Sequence, residues 1–318
     1  MDLEAIFKNL RRNSVALKSL NSEEPIPTNA SKFGGLPCLP PDWEWPCWVE
    51  DRYIPHPLSG WPEWLKKLIK PFCDVSGKFV RGRKLPAVFL AQINLREAAP
   101  YDVEGLLPKS GMLYFFTVAE QPCEINYWKE PNWFVKYYDG PEDVLTPREP
   151  PEETENYDDY VDAVLSENRI EFASQPSVPD LEELPYHDPT FDEETLWRAD
   201  LKTREQMSAL RQRCCGSSKE ESDIYFLYRS FMLGYADLIQ PCPPIGSLAK
   251  GALGYYGKLT EEQEKEVLEE CQRWVLLLQL GPWDGIQMGD DGFLYFYIRK
   301  EDLKQKNFDV VCATADCF

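Results

Sequence analysis

The 318 residues are 43% hydrophobic and 28% charged, a globular balance with length enough for about two domains and a sizeable core. The formal net charge is −20, and such a field repels phosphate backbones, which argues against nucleic-acid binding. No apolar run reaches the roughly 18 residues of a bilayer span, and the opening MDLEAIFKNLRR lacks the apolar stretch of a signal peptide, so a cytoplasmic chain with no membrane partner is expected.

The charge is uneven. Between Pro141 and Thr195 stand 18 acidic and two basic residues, against 36 and 32 in the rest, so a nearly neutral body carries an acidic segment. Ten cysteines include no Cys-x-x-Cys, and His56 and His187 are the two histidines. This is poor material for zinc; the thiols read as small core hydrophobes, and neither metal nor cofactor is expected.

In chain order, Leu3, Ile6, Phe7 and Leu10 lie at helical spacing, and Val15 and Leu17 open a strand. Phe33 to Pro41 is a loop punctuated by glycine and proline. Residues 42–80 look like an insertion carrying Trp43, Trp45 and Trp48, with a short helix capped by Ser59. Three tryptophans there suit either a binding surface or a small satellite core. Strands are expected at about 86–95, 111–118 and 132–138, the first apolar on nearly every position and so covered on both faces.

The acidic segment 141–195 holds eight of the 27 prolines and reads as an extended insertion, with one helical piece from Asp158 to Glu167. A helix follows from Glu193 to about Arg213, then an aromatic stretch 223–233 and a second glycine-centred loop at Gly234. Thr260-Glu261-Glu262-Gln263 is a capping box for a helix ending near Arg273. Strands 274–280 and 292–298 are joined through the turn dipeptides Asp284-Gly285 and Asp291-Gly292. One helical turn at Glu301-Asp302-Leu303 and a last strand from Phe308 to Ala313 end the chain.

Two stretches resemble one another. Ala87 to Leu95, followed by Gly111 to Phe116, matches Trp274 to Leu280, followed by Gly292 to Ile298; each pairs an apolar strand bearing one glutamine with a glycine-started aromatic strand. Phe33 to Pro40 and Leu233 to Gln240 precede them in the same order, which argues for an internal duplication. The expected fold is α+β: two related β-rich halves, about 1–140 and 196–318, with mainly antiparallel sheets, flanking helices and the acidic insertion, all in one domain.

Ser31-Lys32-Phe33-Gly34-Gly35-Leu36-Pro37, Phe89 to Leu95 and Gly111 to Phe116, with Leu276 to Gln279, Gly289-Asp290-Asp291-Gly292, Asp302-Leu303 and Asn307-Phe308-Asp309, resemble the YwqG-like family. The resemblance implies duplicated β-rich halves in an α+β fold, and no established activity. Tyr235 and Ala236 depart from it, standing where a second glycine and a proline are more usual.

Gln92, Asn94 and Gln279 are polar residues in apolar strands. They line a cleft between the halves as ligand-binding amides, or else they satisfy buried backbone groups. Asp290, beside Asp291, is the fourth candidate, although Asp-Gly between strands is foremost a hairpin signal. Asp158, Asp159 and Asp162 lack the glycine and terminal glutamate of a calcium loop, and Gly246 to Gly257 lacks a phosphate-loop motif. Neither His56 nor His187 stands near a recognisable nucleophile, so no catalytic residue is assigned. The expectation is a non-catalytic interaction protein of inhibitor or immunity type that captures a basic protein partner by charge. The alternative is a small-ligand binder or enzyme using a cleft between the halves.

Overall fold

Seven consecutive buried positions in each of two strands demand cover on both faces, and a curled sheet provides it. The structure is a computed structural model that describes residues 2–21, 24–54, 78–118, 133–151, 164–188, 201–214, 229–282 and 292–316, with a few single positions. Helix α1 (Leu3–Leu10), N-capped by Asp2, leads into β1 (Arg12–Leu20). The short β2 (Lys32–Phe33) and β3 (Cys38–Leu39) flank the first glycine loop, and β4 (Cys47–Ile54) and β5 (Lys78–Pro86) pair in a sheet of their own. β6 (Val88–Asn94), α2 (Leu95–Ala98), β7 (Met112–Thr117) and β8 (Trp133–Tyr138) follow, then β9 (Thr146–Pro147), which pairs with β3, and β10 (Asn168–Ser177). The second part runs α3 (Leu184–His187), α4 (Leu201–Cys214), β11 (Ser230–Met232), α5 (Pro244–Ala252), α6 (Glu261–Cys271), β12 (Trp274–Leu280), β13 (Phe293–Arg299), α7 (Lys300–Gln305) and β14 (Cys312–Asp316).

Ten strands form one sheet in the order β14-β13-β12-β11-β1-β10-β2-β6-β7-β8, with every described pairing antiparallel. The sheet curls until its ends approach. The indole Nε1 of Trp133 on β8 donates to the Val311 carbonyl beside β14 at 2.7 Å, and the Tyr137 and Phe308 rings lie 5.1 Å apart. Inside, a single apolar cluster draws Leu90, Phe115 and Val135 together with Leu277, Phe296 and Ala313, the Phe115 and Phe296 rings meeting edge-on at 5.1 Å. Outside, Phe89, Tyr114 and Phe116 pack under the 38–45 segment, while Leu276, Tyr295 and Tyr297 pack under α5 and α6. A further cluster joins α1 and α4 through Phe7, Leu181, Leu184 and Met207.

A β-bulge explains how one glutamine escapes the interior of each apolar strand. Pairing slips between Phe89 and Ala91 in β6 and between Leu276 and Leu278 in β12. The extra residue reverses the two-residue alternation. Leu90 and Ala91 then both face inward and Gln92 outward, and Leu277, Leu278 and Gln279 repeat the pattern.

Several expectations change. The segment 141–195 is not simply an insertion, because its residues 168–177 form β10 at the centre of the main sheet, paired with β1 over nine positions and with β2 over two. Asn168, Ile170 and Phe172 are buried there, so proline and acid content on either side hid a central strand. The last strand begins at Cys312, since Phe308–Val310 closes a 3-10 turn first. The glycine loops align one position away from the sequence match: Gly34 and Gly35 have φ of 57° and 66°, and Leu233 and Gly234 have 62° and 76°. Leu233 thus adopts a conformation disfavoured for a leucine, while a Cβ on Gly34 would come within 2.1 Å of the Ser166 carbonyl oxygen. The capping box at Thr260 and Gln263 forms as expected. The helix from Ser59, the start of the helix at Glu193 and the turn at Asp284 lie outside the described residues, as does the expected helical piece Asp158 to Glu167 except for its end, 164–167, which is not helical. Among the described residues, no helix is long and apolar enough to cross a membrane.

Phe115→Ala and Phe296→Ala are each expected to lower stability by about 3–5 kcal/mol in urea unfolding. The double variant should fall short of their sum by about 1 kcal/mol, because one ring contact is lost twice; strict additivity would show that the rings do not share a core.

Candidate functional site

Gln92 and Gln279 hold backbone loops in matching ways. Gln92 Oε1 accepts from the Cys38 amide at 2.9 Å, its Nε2 donates to the Ala30 and Thr28 carbonyls, and its cross-strand neighbour Tyr114 donates to the Cys38 carbonyl at 2.6 Å. Gln279 Oε1 accepts from the Asp237 amide at 2.9 Å, its Nε2 donates to the Arg229 carbonyl, and its cross-strand neighbour Tyr295 donates to the Asp237 carbonyl at 2.7 Å. Each Gln–Tyr pair therefore grips both backbone polar groups of one residue, Cys38 at the start of β3 or Asp237 in the loop after β11. Asn94 caps α2 by accepting from the Arg96 amide and donates to the Asn29 carbonyl. Gln92 and Asn94 thus serve the 28–38 segment and Gln279 the 229–237 segment, so these three amides are not drawn into one cleft. Asp290 lies outside the described residues.

Trp43 and Trp45 pack against the protein rather than forming an exposed surface. Trp45 is buried against Phe116 and donates to the Ala87 carbonyl, while Trp43 packs edge-on against Tyr114 and Tyr138. They build the outer cover of β6 and β7.

A different pocket does unite distant parts of the chain. Arg12 of β1, Glu183 and His187 of the α3 segment, Tyr235, Trp274 and Tyr297 line a space of about 10 Å³, room for about one water. Glu183 and His187 are four residues apart, so one helical turn sets them side by side; their side chains are 2% and 4% exposed, with Oε2 and Nε2 at 3.8 Å. That distance is too long for a hydrogen bond, and among the described residues neither Glu183 Oε2 nor either imidazole nitrogen has a hydrogen-bond partner. The His187 ring stands edge-on to Tyr235 at 4.7 Å, and the Arg12 guanidinium covers the same tyrosine ring at 4.6 Å. Burial pushes the Tyr235 phenol up to about 12 despite Arg12, and its hydroxyl donates to the Leu10 carbonyl. Sequence reading gave His187 no role; the Glu-x-x-x-His spacing was the signal available.

Around this pocket, charge is spent on structure. Buried Asp237 meets Arg211 at 3.3 Å and Arg229 at 3.5 Å, and Arg211 reaches Asp180 as well, tying α4 to the sheet. Glu270 accepts from Arg299 and from the Trp274 indole. Burial, with Asp180 beside it, pushes the Glu182 carboxyl up to about 7, an effect that Arg204 at 2.6 Å only partly offsets. Among the described residues, no group of three or more His, Cys, Asp or Glu is placed to hold a metal ion.

Fold and buried polar groups together define an α+β protein built on one curled antiparallel sheet, with loops held by paired glutamine and tyrosine side chains. The chain belongs to the family described as Domain of unknown function (DUF1963), whose model matches residues 31–317. No curated protein matches it.

Gln92→Leu and Gln279→Leu should each cost about 3 kcal/mol in chemical unfolding, because both strand buried amide and carbonyl groups without partners. A carboxyl with a raised folded-state pKa stabilises while protonated, fully so below its ordinary value of 4.5, and that contribution is lost as pH climbs through about 7. The melting temperature of the native chain should therefore fall across this window, and Glu182→Gln should remove that part of the fall.

Proposed function

We propose that this protein is a non-catalytic interaction module of the cytoplasm that binds a basic protein partner, in the manner of an inhibitor or immunity protein. The observation that carries this reading is the exposed face of α6, where Glu261, Glu262, Glu264, Glu266 and Glu269 are open to solvent with Lys265 as the basic residue among them. A net charge of −20 adds a long-range field that favours capture of a cationic surface. The described acids of 141–195 contribute less than their number suggests. Glu142 pairs with Arg96, Glu167 with Lys32, Asp180 with Arg211 and Glu182 with Arg204. Asp158, Asp159 and Asp162 lie outside the described residues.

We further propose that the chain is YwqG-like within its family, and that its halves are copies of one unit. Three likenesses support the duplication: the shared bulge pattern of β6 and β12, the two Gln–Tyr grips, and the adjacent positive-φ pairs at 34–35 and 233–234. A second reading, a small-ligand binder or enzyme, draws on the pocket at Glu183 and His187, which joins Arg12 to residues of the C-terminal half.

Titration of the whole protein with a lysine-rich peptide and with an acidic control of equal length tests the main reading. Binding of the basic peptide alone, weakened by salt and by Glu262→Lys/Glu269→Lys, is the expected result. Equal binding of both peptides, or binding indifferent to salt and to the double variant, would refute it.

A further inference from the structure

The pocket at Glu183 and His187 is walled by groups of opposite hydrogen-bonding habit. Glu183, at the end of the turn Leu181–Glu183, presents a carboxylate, which accepts; Arg12 of β1 presents a guanidinium, which only donates. His187 of α3 adds an imidazole, which carries at least one N–H in any protonation form. The Glu183 and His187 side chains are 2% and 4% exposed, and among the described residues Glu183 Oε2 and both ring nitrogens make no hydrogen bond. The Tyr235 hydroxyl on the same wall is already given to the Leu10 carbonyl. Buried polar atoms without partners are costly, and an internal water with about two to four polar neighbours is the usual way such atoms are satisfied. The 3.8 Å between Glu183 Oε2 and His187 Nε2 is too long for a direct bond and short enough for one water to span.

We propose that this pocket is a binding site for one water molecule, which donates to Glu183 Oε2 and bonds a ring nitrogen of His187, with the Arg12 guanidinium facing it as counter-charge to the carboxylate. Size sets the first limit: a space of about 10 Å³ takes about one water and excludes a metabolite. Charge sets the second. A metal or alkali cation in the pocket would face Arg12, and a halide would face Glu183. Among the described residues, no third His, Cys, Asp or Glu is placed to complete a metal site. Ammonium has hydrogens for the carboxylate but no lone pair for an N–H of the wall. Water is neutral, and it both donates and accepts. The inference is independent of the α6 reading, and it gives the cavity to solvent rather than to the small ligand of the second reading.

Two measurements on the whole protein test this: a high-resolution crystal structure, and water–protein NOE spectra of His56→Gln, in which His187 is the single histidine. The expected result is one ordered water at about 2.6–3.2 Å from both Glu183 Oε2 and a His187 ring nitrogen. In solution, the His187 ring protons should show cross-peaks to water whose NOE and ROE signs mark a molecule held longer than the protein takes to tumble. Those cross-peaks should persist in Glu183→Gln, which keeps an acceptor oxygen, and be lost in Glu183→Met, which keeps the length without one. A direct contact of Glu183 with His187 or Arg12 that closes the space, a metal ion found there by anomalous scattering, or cross-peaks unchanged in Glu183→Met would overturn the proposal. If Glu183→Met fails to fold, the native crystal structure and the His56→Gln spectra decide alone: a pocket without ordered water, or a His187 ring without the water cross-peaks, overturns it as well.

Discussion

The demand that two apolar strands be covered on both faces shapes this molecule. An open antiparallel sheet leaves one face to water. Here the sheet curls so that its inner faces, from β6 to β8 and from β12 to β14, cover each other through contacts such as Phe115 with Phe296. The outer faces then need separate lids, supplied by Trp43 and Trp45 on one side and by α5 and α6 on the other. Closing the ends with the Trp133 hydrogen bond also limits exposure of the terminal strands.

A curled, doubly covered sheet leaves buried backbone groups wherever loops cross its outer faces. The β-bulges meet that need by turning Gln92 and Gln279 outward, and each glutamine with its tyrosine neighbour satisfies a loop that no strand pairs fully. The same economy governs charge, with Asp237, Glu270 and Lys32 buried beside partners. Among the described residues, Glu183 and His187 depart from this, being buried with polar atoms left without hydrogen bonds, as is the Asn168 amide nitrogen.

The distribution of acid also acquires a different meaning in three dimensions. A sequence window from 141 to 195 merges β10, ion pairs that pin loops and helices, and the pocket-lining Glu183 into one apparent property. Solvent-exposed acid is better counted on α6, where Glu261, Glu262, Glu264, Glu266 and Glu269 are open.

The sequence by itself determined the strands Val88–Asn94, Met112–Thr117, Trp133–Tyr138, Trp274–Leu280 and Phe293–Arg299, the capping box at Thr260, the α+β class and the likeness between 87–116 and 274–298. These rest on short-range rules, in which apolar runs, turn residues and caps act within a few positions. Only the tertiary structure decided that Asn168 to Ser177 is a central strand, since its cover comes from β1 and β2 more than a hundred residues earlier. It alone decided that Gln92 and Gln279 serve separate loops, because an amide's role is set by whichever backbone lies opposite. The pocket was partly legible, as Glu183 and His187 have the spacing of neighbours on a helix, but their burial under Arg12 and Tyr235 depends on long-range packing that local pattern does not encode.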